Sequence, residues 1–168
     1  IKVIDGEKEA YYGGVAALNL LHDDTFVTVD IGGGSTEFSF VKNGKIEKSI
    51  SLNIGTVRIK ELYFNKDDIE GARKVILDNL KKIFDLGIEI PSKVVGIGGS
   101  IRAVSKIIME KNNYPLDILH GYTYNVKNEN TLFNKIINAR NNDDLKSIGV
   151  KKDRFDTIKE GTFIFKTI

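Results

Sequence analysis

The amino-acid sequence predicts an α/β domain built around a mixed sheet. Three short segments rich in β-branched and aromatic residues lie close together, and the turn Asn43-Gly44 between two of them is a strong hairpin signal. A helical pattern, a fourth strand and a further helical pattern then alternate along the chain. With 168 residues, the chain is long enough for one well-buried domain or for one lobe of a larger protein.

Two of the predicted strands end at glycines. The strands are residues 25–31, 36–41, 45–52 and 93–97. The first strand stops at Gly32-Gly33-Gly34 and the fourth at Gly98-Gly99. The second and third strands flank the hairpin turn and are therefore expected to be antiparallel.

Helical spacing of apolar residues predicts the remaining elements. The predicted helices are residues 7–21, 56–63, 68–86, 100–111, 126–140 and 158–168. Ala10, Val15, Ala16 and Leu20 give the first helix an apolar side, although two glycines weaken it by about 1 kcal/mol each. Ser100 is expected to cap the helix that begins there, and residues 141–150 are expected to form a polar loop. The main core candidates are Phe38, Phe40, Ile76, Leu80 and Ile107.

The order β-β-β-α-β-α fits an α/β domain of the ribonuclease H-like type, the lobe that actin-like ATPases use twice. The net charge of +2 is too small to indicate nucleic acid or an anionic membrane as a partner. The absence of cysteine excludes disulfides and thiolate metal sites, and no apolar run approaches the ~18 residues of a membrane span. We therefore expect a cytoplasmic protein that binds no DNA, RNA or membrane.

The first glycine turn, Gly32-Gly33-Gly34-Ser35, predicts a phosphate-binding loop. Glycines adopt positive φ at little cost, and without Cβ they let an anion approach the backbone N–H groups. Asp30 before the turn and Glu37 after it are acidic, so a divalent cation, Mg²⁺, is expected between them and a phosphate. A plain glycine hairpin with a solvated Asp30 is the alternative.

The second glycine turn, Gly98-Gly99-Ser100, joins a strand to the start of a helix. Free N–H groups and the helix dipole favour anions there, although tight packing explains many such turns. Because ligands of α/β sheets gather at the carboxyl ends of strands, both glycine turns are expected to face one chain of phosphates. Arg58, Arg102 and the cluster Lys146, Lys151, Lys152 and Arg154 are either further phosphate contacts or ordinary surface residues.

These segments together resemble the exopolyphosphatase/guanosine pentaphosphate phosphohydrolase family, the Ppx/GppA phosphatases. The stretches that carry the resemblance are Ile4-Asp5-Gly6-Glu7-Lys8-Glu9-Ala10, residues 30–37, Gly55-Thr56-Val57-Arg58, residues 96–102, His120-Gly121-Tyr122 and residues 154–161. The resemblance implies that residues 1–168 are the second lobe of a two-lobe phosphatase. Its first lobe and a further C-terminal strand would lie outside this sequence, so we expect the isolated chain to have little or no activity.

The resemblance also implies roles for individual residues. Glu9 would be the general base that activates water, and Asp30 and Glu37 would hold the metal. The backbone of Gly32, Gly33, Gly34, Ser35, Gly98, Gly99 and Ser100 would bind phosphates. The implied reaction releases orthophosphate from polyphosphate or from the 5′ end of guanosine pentaphosphate, in a full-length enzyme that can form a homodimer.

Two other classes of function use similar loops. A sensor would bind a nucleotide or guanosine tetraphosphate without turnover. Such a protein needs no general base, so the presence of Glu9 in its motif disfavours the sensor. An actin-like kinase would transfer phosphate to a small acceptor, and it would need an adenosine pocket that no motif in the sequence identifies.

Overall fold

The computed structural model describes residues 3–168, and these form a four-stranded sheet flanked by helices. The strands are β1 (Phe26–Ile31), β2 (Thr36–Lys42), β3 (Lys45–Leu52) and β4 (Val94–Ile97). The helices are α1 (Gly6–Leu20), α2 (Thr56–Leu62), α3 (Ile69–Phe84), α4 (Gly99–Lys111), α5 (Asn130–Ile137), α6 (Asn142–Ile148) and α7 (Ile158–Thr167). Short 3₁₀ turns occupy Phe64–Lys66, Val126–Glu129 and Lys152–Arg154.

The sheet has the order β3-β2-β1-β4, with antiparallel pairing throughout except between β1 and β4, which are parallel. This arrangement confirms the predicted fold class, an α/β lobe of ribonuclease H-like type. Asn43 and Gly44 both have positive φ, as a two-residue hairpin turn requires. Because β1 and β4 run in the same direction, the glycine turns that follow them lie at the same edge of the sheet.

The two faces of the sheet differ in chemistry. One face carries Val29, Phe38 and Phe40, which pack against α2, α3, α4 and α7 in the largest core cluster. All five core candidates named from the sequence are buried, which confirms that part of the prediction. The opposite face lies under α1 and includes small polar side chains, among them Ser39 and Ser49, whose hydroxyl oxygens are 3.0 Å apart.

The predicted apolar side of α1 is wrong in part. Ala10 is buried, but Ala16 and Leu20 are exposed, and the buried line is Ala10, Gly14 and Ala17. A Cβ on Gly14 would lie 2.5 Å from the Ser39 hydroxyl oxygen, so glycine lets the helix approach the sheet closely. Residues that are small rather than hydrophobic therefore define the packed face.

The prediction that Ser100 caps α4 is also wrong. Gly98 occupies the N-cap position with φ of 86°, and Ser100 is buried inside the first turn. There it packs against α7, since a Cβ on Gly161 would lie 2.5 Å from the Ser100 Cβ. Helix packing therefore buries the Ser100 side chain, and the start of α4 has no side-chain capping hydrogen bond.

The prediction of a loop over residues 141–150 is wrong as well, because α6 forms there. The Asn141 side chain accepts a hydrogen bond from the Asp144 backbone N–H at 2.9 Å, and Gly149 ends the helix with φ of 100°. Leu145 anchors α6 in the second core cluster. Two caps and one buried side chain thus stabilise a short helix in a polar stretch. Within residues 3–168, no helix is both long and apolar enough to cross a membrane.

Candidate phosphate-binding site

In the first glycine turn the carbonyl groups accept hydrogen bonds from the protein, whereas most of the amide groups do not donate to it. Thr56 N–H donates to the Gly32 carbonyl and Val57 N–H to the Gly33 carbonyl, each at 2.9 Å, so the start of α2 takes up these two acceptors. In the part of the chain that the structure describes, the amides of Gly33, Gly34 and Ser35 have no such protein acceptor. The turn therefore offers three N–H donors to an external anion.

Close packing fixes this arrangement. A Cβ on Gly55 would overlap the Gly33 carbonyl, so the chain entering α2 can only meet the turn because residue 55 is glycine. The Arg58 side chain donates from Nε to the Gly34 carbonyl oxygen at 3.1 Å. Arg58 therefore helps to hold the turn in place.

The second glycine turn lies directly beside Asp30. Ile97 pairs with Asp30 across β4 and β1, and a Cβ on Gly98 would overlap the Asp30 carboxylate. The Arg154 guanidinium lies against Gly99 in the same way. The positive φ of Gly98 favours glycine there, whereas at Gly99 the neighbour is the end of the flexible Arg154 side chain. Asp30 thus lies where the two glycine turns meet, on one side of the sheet edge.

The three predicted acids converge at this place. Asp30 and Glu37 are directly opposite each other on β1 and β2. Burial raises the pKa of Asp30 above its usual value, and the negative charges of Glu37 and Glu9 raise it further. Glu37 is buried and Glu9 is exposed. The structure therefore brings together acids from α1, β1 and β2.

Ser51, which the sequence analysis did not identify, lies between Glu37 and the start of the helix that carries Glu9. Its hydroxyl donates to Glu37 Oε1 at 2.7 Å. A Cβ on Gly6 would lie 2.5 Å from the Ser51 hydroxyl oxygen, so the first residue of α1 is seated on the same side chain. Glu9 is in the first turn of that helix. Ser51 thus sets both the Glu37 carboxylate and the start of the helix that carries Glu9.

Asp30 and Glu37 form a donor set that fits Mg²⁺. Among the residues that the structure describes, no cluster of three or more His, Asp or Glu side chains has metal-binding geometry. Mg²⁺ is commonly held by one or two carboxylates, with water and substrate phosphates completing its six ligands. Two carboxylates beside amides that lack a protein acceptor match that pattern.

The mixed sheet, with both glycine turns at one edge, defines an α/β lobe of the ribonuclease H-like type. The model of the Ppx/GppA phosphatase family matches residues 1–168, and the chain belongs to this family. It is 31% identical over 179 aligned residues to the bifunctional 3-dehydroquinate synthase/phosphatase of Fusobacterium nucleatum subsp. nucleatum. That alignment covers 100% of this chain and 26% of the relative.

Solved structures show the same architecture. The Ppx/GppA family member of Aquifex aeolicus is 30% identical with a TM-score of 0.77, over 99% of this chain and 55% of that chain. An exopolyphosphatase from Cytophaga hutchinsonii shares the fold at 21% identity and a TM-score of 0.80, over 99% of this chain and 56% of that chain. The present chain thus spans about half the length of these solved relatives.

Proposed function

We propose that the full-length protein hydrolyses terminal phosphoanhydride bonds, releasing orthophosphate from inorganic polyphosphate or guanosine pentaphosphate. The observation that carries this proposal is the position of Asp30 beside Gly98 and next to a first glycine turn in which the amides of Gly33, Gly34 and Ser35 lack protein acceptors. Such amides bind phosphate oxygens without rearrangement, and preorganised donors of this kind stabilise charge that develops in a transition state. Family membership supports the same reaction class.

Each residue has one task in the proposed reaction. The amides of Gly33, Gly34 and Ser35 hold one end of the phosphate chain, and those of Gly98, Gly99 and Ser100 hold a neighbouring phosphate. Asp30 and Glu37 would hold Mg²⁺, and the bound ion would supply positive charge to neutralise phosphate oxygens. Gly32 was expected to bind phosphate as well, but its N–H donates to the Ser35 carbonyl at 3.0 Å and its carbonyl accepts from Thr56, so Gly32 shapes the turn instead.

Glu9 is proposed as the general base. Its carboxylate would accept the proton of a water molecule while that water attacks the terminal phosphorus, and the bond from that phosphorus to the bridging oxygen would break. The exposure of Glu9 leaves a path for water, and the capped start of α1 holds its backbone, since Asp5 accepts a hydrogen bond from the Lys8 N–H at 2.8 Å. No covalent intermediate is needed.

The direct test is phosphate release by the full-length protein from polyphosphate and from guanosine pentaphosphate, with and without Mg²⁺. We expect Mg²⁺-dependent release from at least one of them, and little or none from residues 1–168 alone. Tight binding of both compounds without release would favour the sensor. Transfer of phosphate from ATP to an added acceptor would favour the kinase.

Ser51→Ala is expected to raise the Mg²⁺ concentration that the full-length protein needs for phosphate release. Loss of the hydrogen bond frees the Glu37 carboxylate, and removal of such an outer-shell partner typically costs ~10- to 100-fold in metal affinity or activity. The measurement is the Mg²⁺ concentration that gives half-maximal phosphate release. Ser49→Ala is the matched control, because Ser49 lies two residues away on β3 and its hydroxyl contacts Ser39. Equal effects of both variants would contradict a role for Ser51 in positioning Glu37.

A further inference from the structure

The start of α7 lies between the two helices that adjoin the glycine turns. α2 begins at Thr56, beside the first turn, and α4 begins at Gly99, in the second turn. A Cβ on Gly161, in the first turn of α7, would lie 2.5 Å from the Ser100 Cβ and 3.3 Å from the Thr56 methyl group. All three of these contacting residues are buried. A single glycine therefore lets three helices meet at one point.

The starts of α2 and α4 are each fixed to the sheet edge that carries the glycine turns. Thr56 N–H donates to the Gly32 carbonyl at 2.9 Å, which joins α2 to the first turn. A Cβ on Gly96 would overlap the buried Ile101 side chain, so β4 and the first turn of α4 are in close contact. A displacement of either helix would therefore move the glycine turn to which it is joined.

Two contacts hold the start of α7 against α2. Lys60 Nζ, on α2, donates to the Asp156 carbonyl at 2.7 Å, just before α7 begins. Phe163 on α7 packs edge-to-face on Phe64, in the 3₁₀ turn after α2, with ring centroids 5.3 Å apart. Because α7 is held to α2 in this way, additional volume at residue 161 would displace the start of α4.

We propose that Gly161 is a positioning residue that sets the distance between the two glycine turns. The inference rests on the proposed function, which assigns neighbouring phosphates to the two turns. With alanine at residue 161, the Ser100 Cβ would have to move by about 0.9 Å, from 2.5 Å to the 3.4 Å of ordinary van der Waals contact. A ligand that engages both turns would have to overcome this contact, whereas a ligand that occupies one turn would be insensitive to it.

The test compares inorganic phosphate, which can occupy one turn, with tripolyphosphate, which can reach both. Their Kd values are measured by calorimetry with Mg²⁺, in the full-length protein carrying Glu9→Gln to suppress turnover. Gly161→Ala should raise the Kd of tripolyphosphate roughly 5- to 100-fold, the range that corresponds to the usual cost of overpacking. The Kd of inorganic phosphate should stay unchanged.

Gly13→Ala is the matched control for this substitution. Gly13 also lies inside a helix, so both changes favour the helical backbone in the same way. A Cβ on Gly13 would meet only the Ile97 side chain, at an ordinary distance of 3.5 Å. The control should therefore change neither Kd, and should not lower the unfolding temperature.

Second substitutions at Ser100 separate the contact from a general loss of stability. In the Gly161→Ala background, Ser100→Gly removes the opposing Cβ and should restore the affinity for tripolyphosphate. Ser100→Ala keeps that Cβ and should not restore it. If Gly161→Ala alone fails to fold, the pair Gly161→Ala/Ser100→Gly should still fold and bind tripolyphosphate as the unaltered protein does.

Three results would overturn the proposal: an unchanged Kd of tripolyphosphate in Gly161→Ala, an equal loss of affinity for both probes, or equal rescue by Ser100→Ala and Ser100→Gly. None of these measurements depends on turnover. Binding of tripolyphosphate by the unaltered protein without release of orthophosphate would refute the proposed function, and the comparison at Gly161 would still decide the role of the contact.

Discussion

Replacing Glu9 by glutamine in the full-length protein is expected to lower the rate of phosphate release by ~10²- to 10⁴-fold, the usual contribution of a general base. Glutamine keeps the size of the side chain but cannot take a proton from the attacking water. Glu9 is exposed, and α1 is held by the Asp5 cap and by the contact between Gly6 and Ser51. The substitution should therefore leave the fold and the affinity for polyphosphate unchanged.

Glu7→Gln is the control for this experiment. Glu7 is exposed in the same first turn of α1 and carries the same charge, so its loss changes the helix dipole interaction in the same way. The measurements are kcat for phosphate release and Kd from calorimetry. A Glu9→Gln variant that turns over at the unaltered rate would show that another group activates the water.

The elements around the site could be predicted from sequence because their signals are local. A β-branched run that stops at three glycines, and an Asn-Gly turn between two strands, each specify a conformation through backbone sterics alone. The expectation that both glycine turns face one ligand came instead from a general rule, that ligands of α/β sheets gather at the carboxyl ends of strands. The structure adds the parallel pairing of β1 with β4, which places both turns at one edge of the sheet and Gly98 beside Asp30.

Ser51 could not be found in this way, because a bulge changes the register of the hairpin. Counting back from the turn, which pairs Lys42 with Lys45, would place Ile50 opposite Glu37. The register shifts between Phe40 and Val41, and Ser51 takes that position instead. A shift of one residue moves every later side chain to the other face of the strand, and no residue in the sequence marks the bulge.

A groove between α4 and the segment that follows α6 is lined by Arg102, Lys106, Lys151 and Arg154, and it depends on packing that the sequence does not specify. Lys151 and Arg154 were recognised as basic residues, but α6 was predicted as a loop, which left no wall facing α4. The caps at Asn141 and Gly149 form α6, and Leu145 then fixes it in the core beside α4 and α5. Only this long-range packing brings Arg102 and Lys106 to the opposite side of a common groove.

Asp30→Asn is expected to abolish Mg²⁺-dependent phosphate release while making the metal-free protein more stable. Direct loss of a proposed metal ligand should cost more than the ~10- to 100-fold typical of an outer-shell partner. Stability should increase because the Asp30 carboxylate is half-buried near Glu37 and Glu9, and asparagine removes its charge at almost constant size.

The pH dependence of this gain follows from the raised pKa of Asp30. A carboxylate whose pKa is higher in the folded state than in the unfolded chain destabilises the fold once it is ionised. The difference in unfolding temperature between variant and unaltered protein should therefore be absent below the ordinary pKa of 3.8. It should grow as the pH rises through the interval up to the folded value, and remain constant above it.

Thermal unfolding between pH 3 and pH 8, with chelator and then with Mg²⁺, measures both effects. Mg²⁺ should stabilise the unaltered protein and reverse the order of stability, because a ligand that binds only the folded state raises its stability. Asp117→Asn, at an exposed position, is the control and should change neither quantity. If Asp30→Asn lowers the unfolding temperature in chelator at pH 7, the carboxylate is part of the structural framework. Its proximity to Glu9 and Glu37 would then have no connection with a cation.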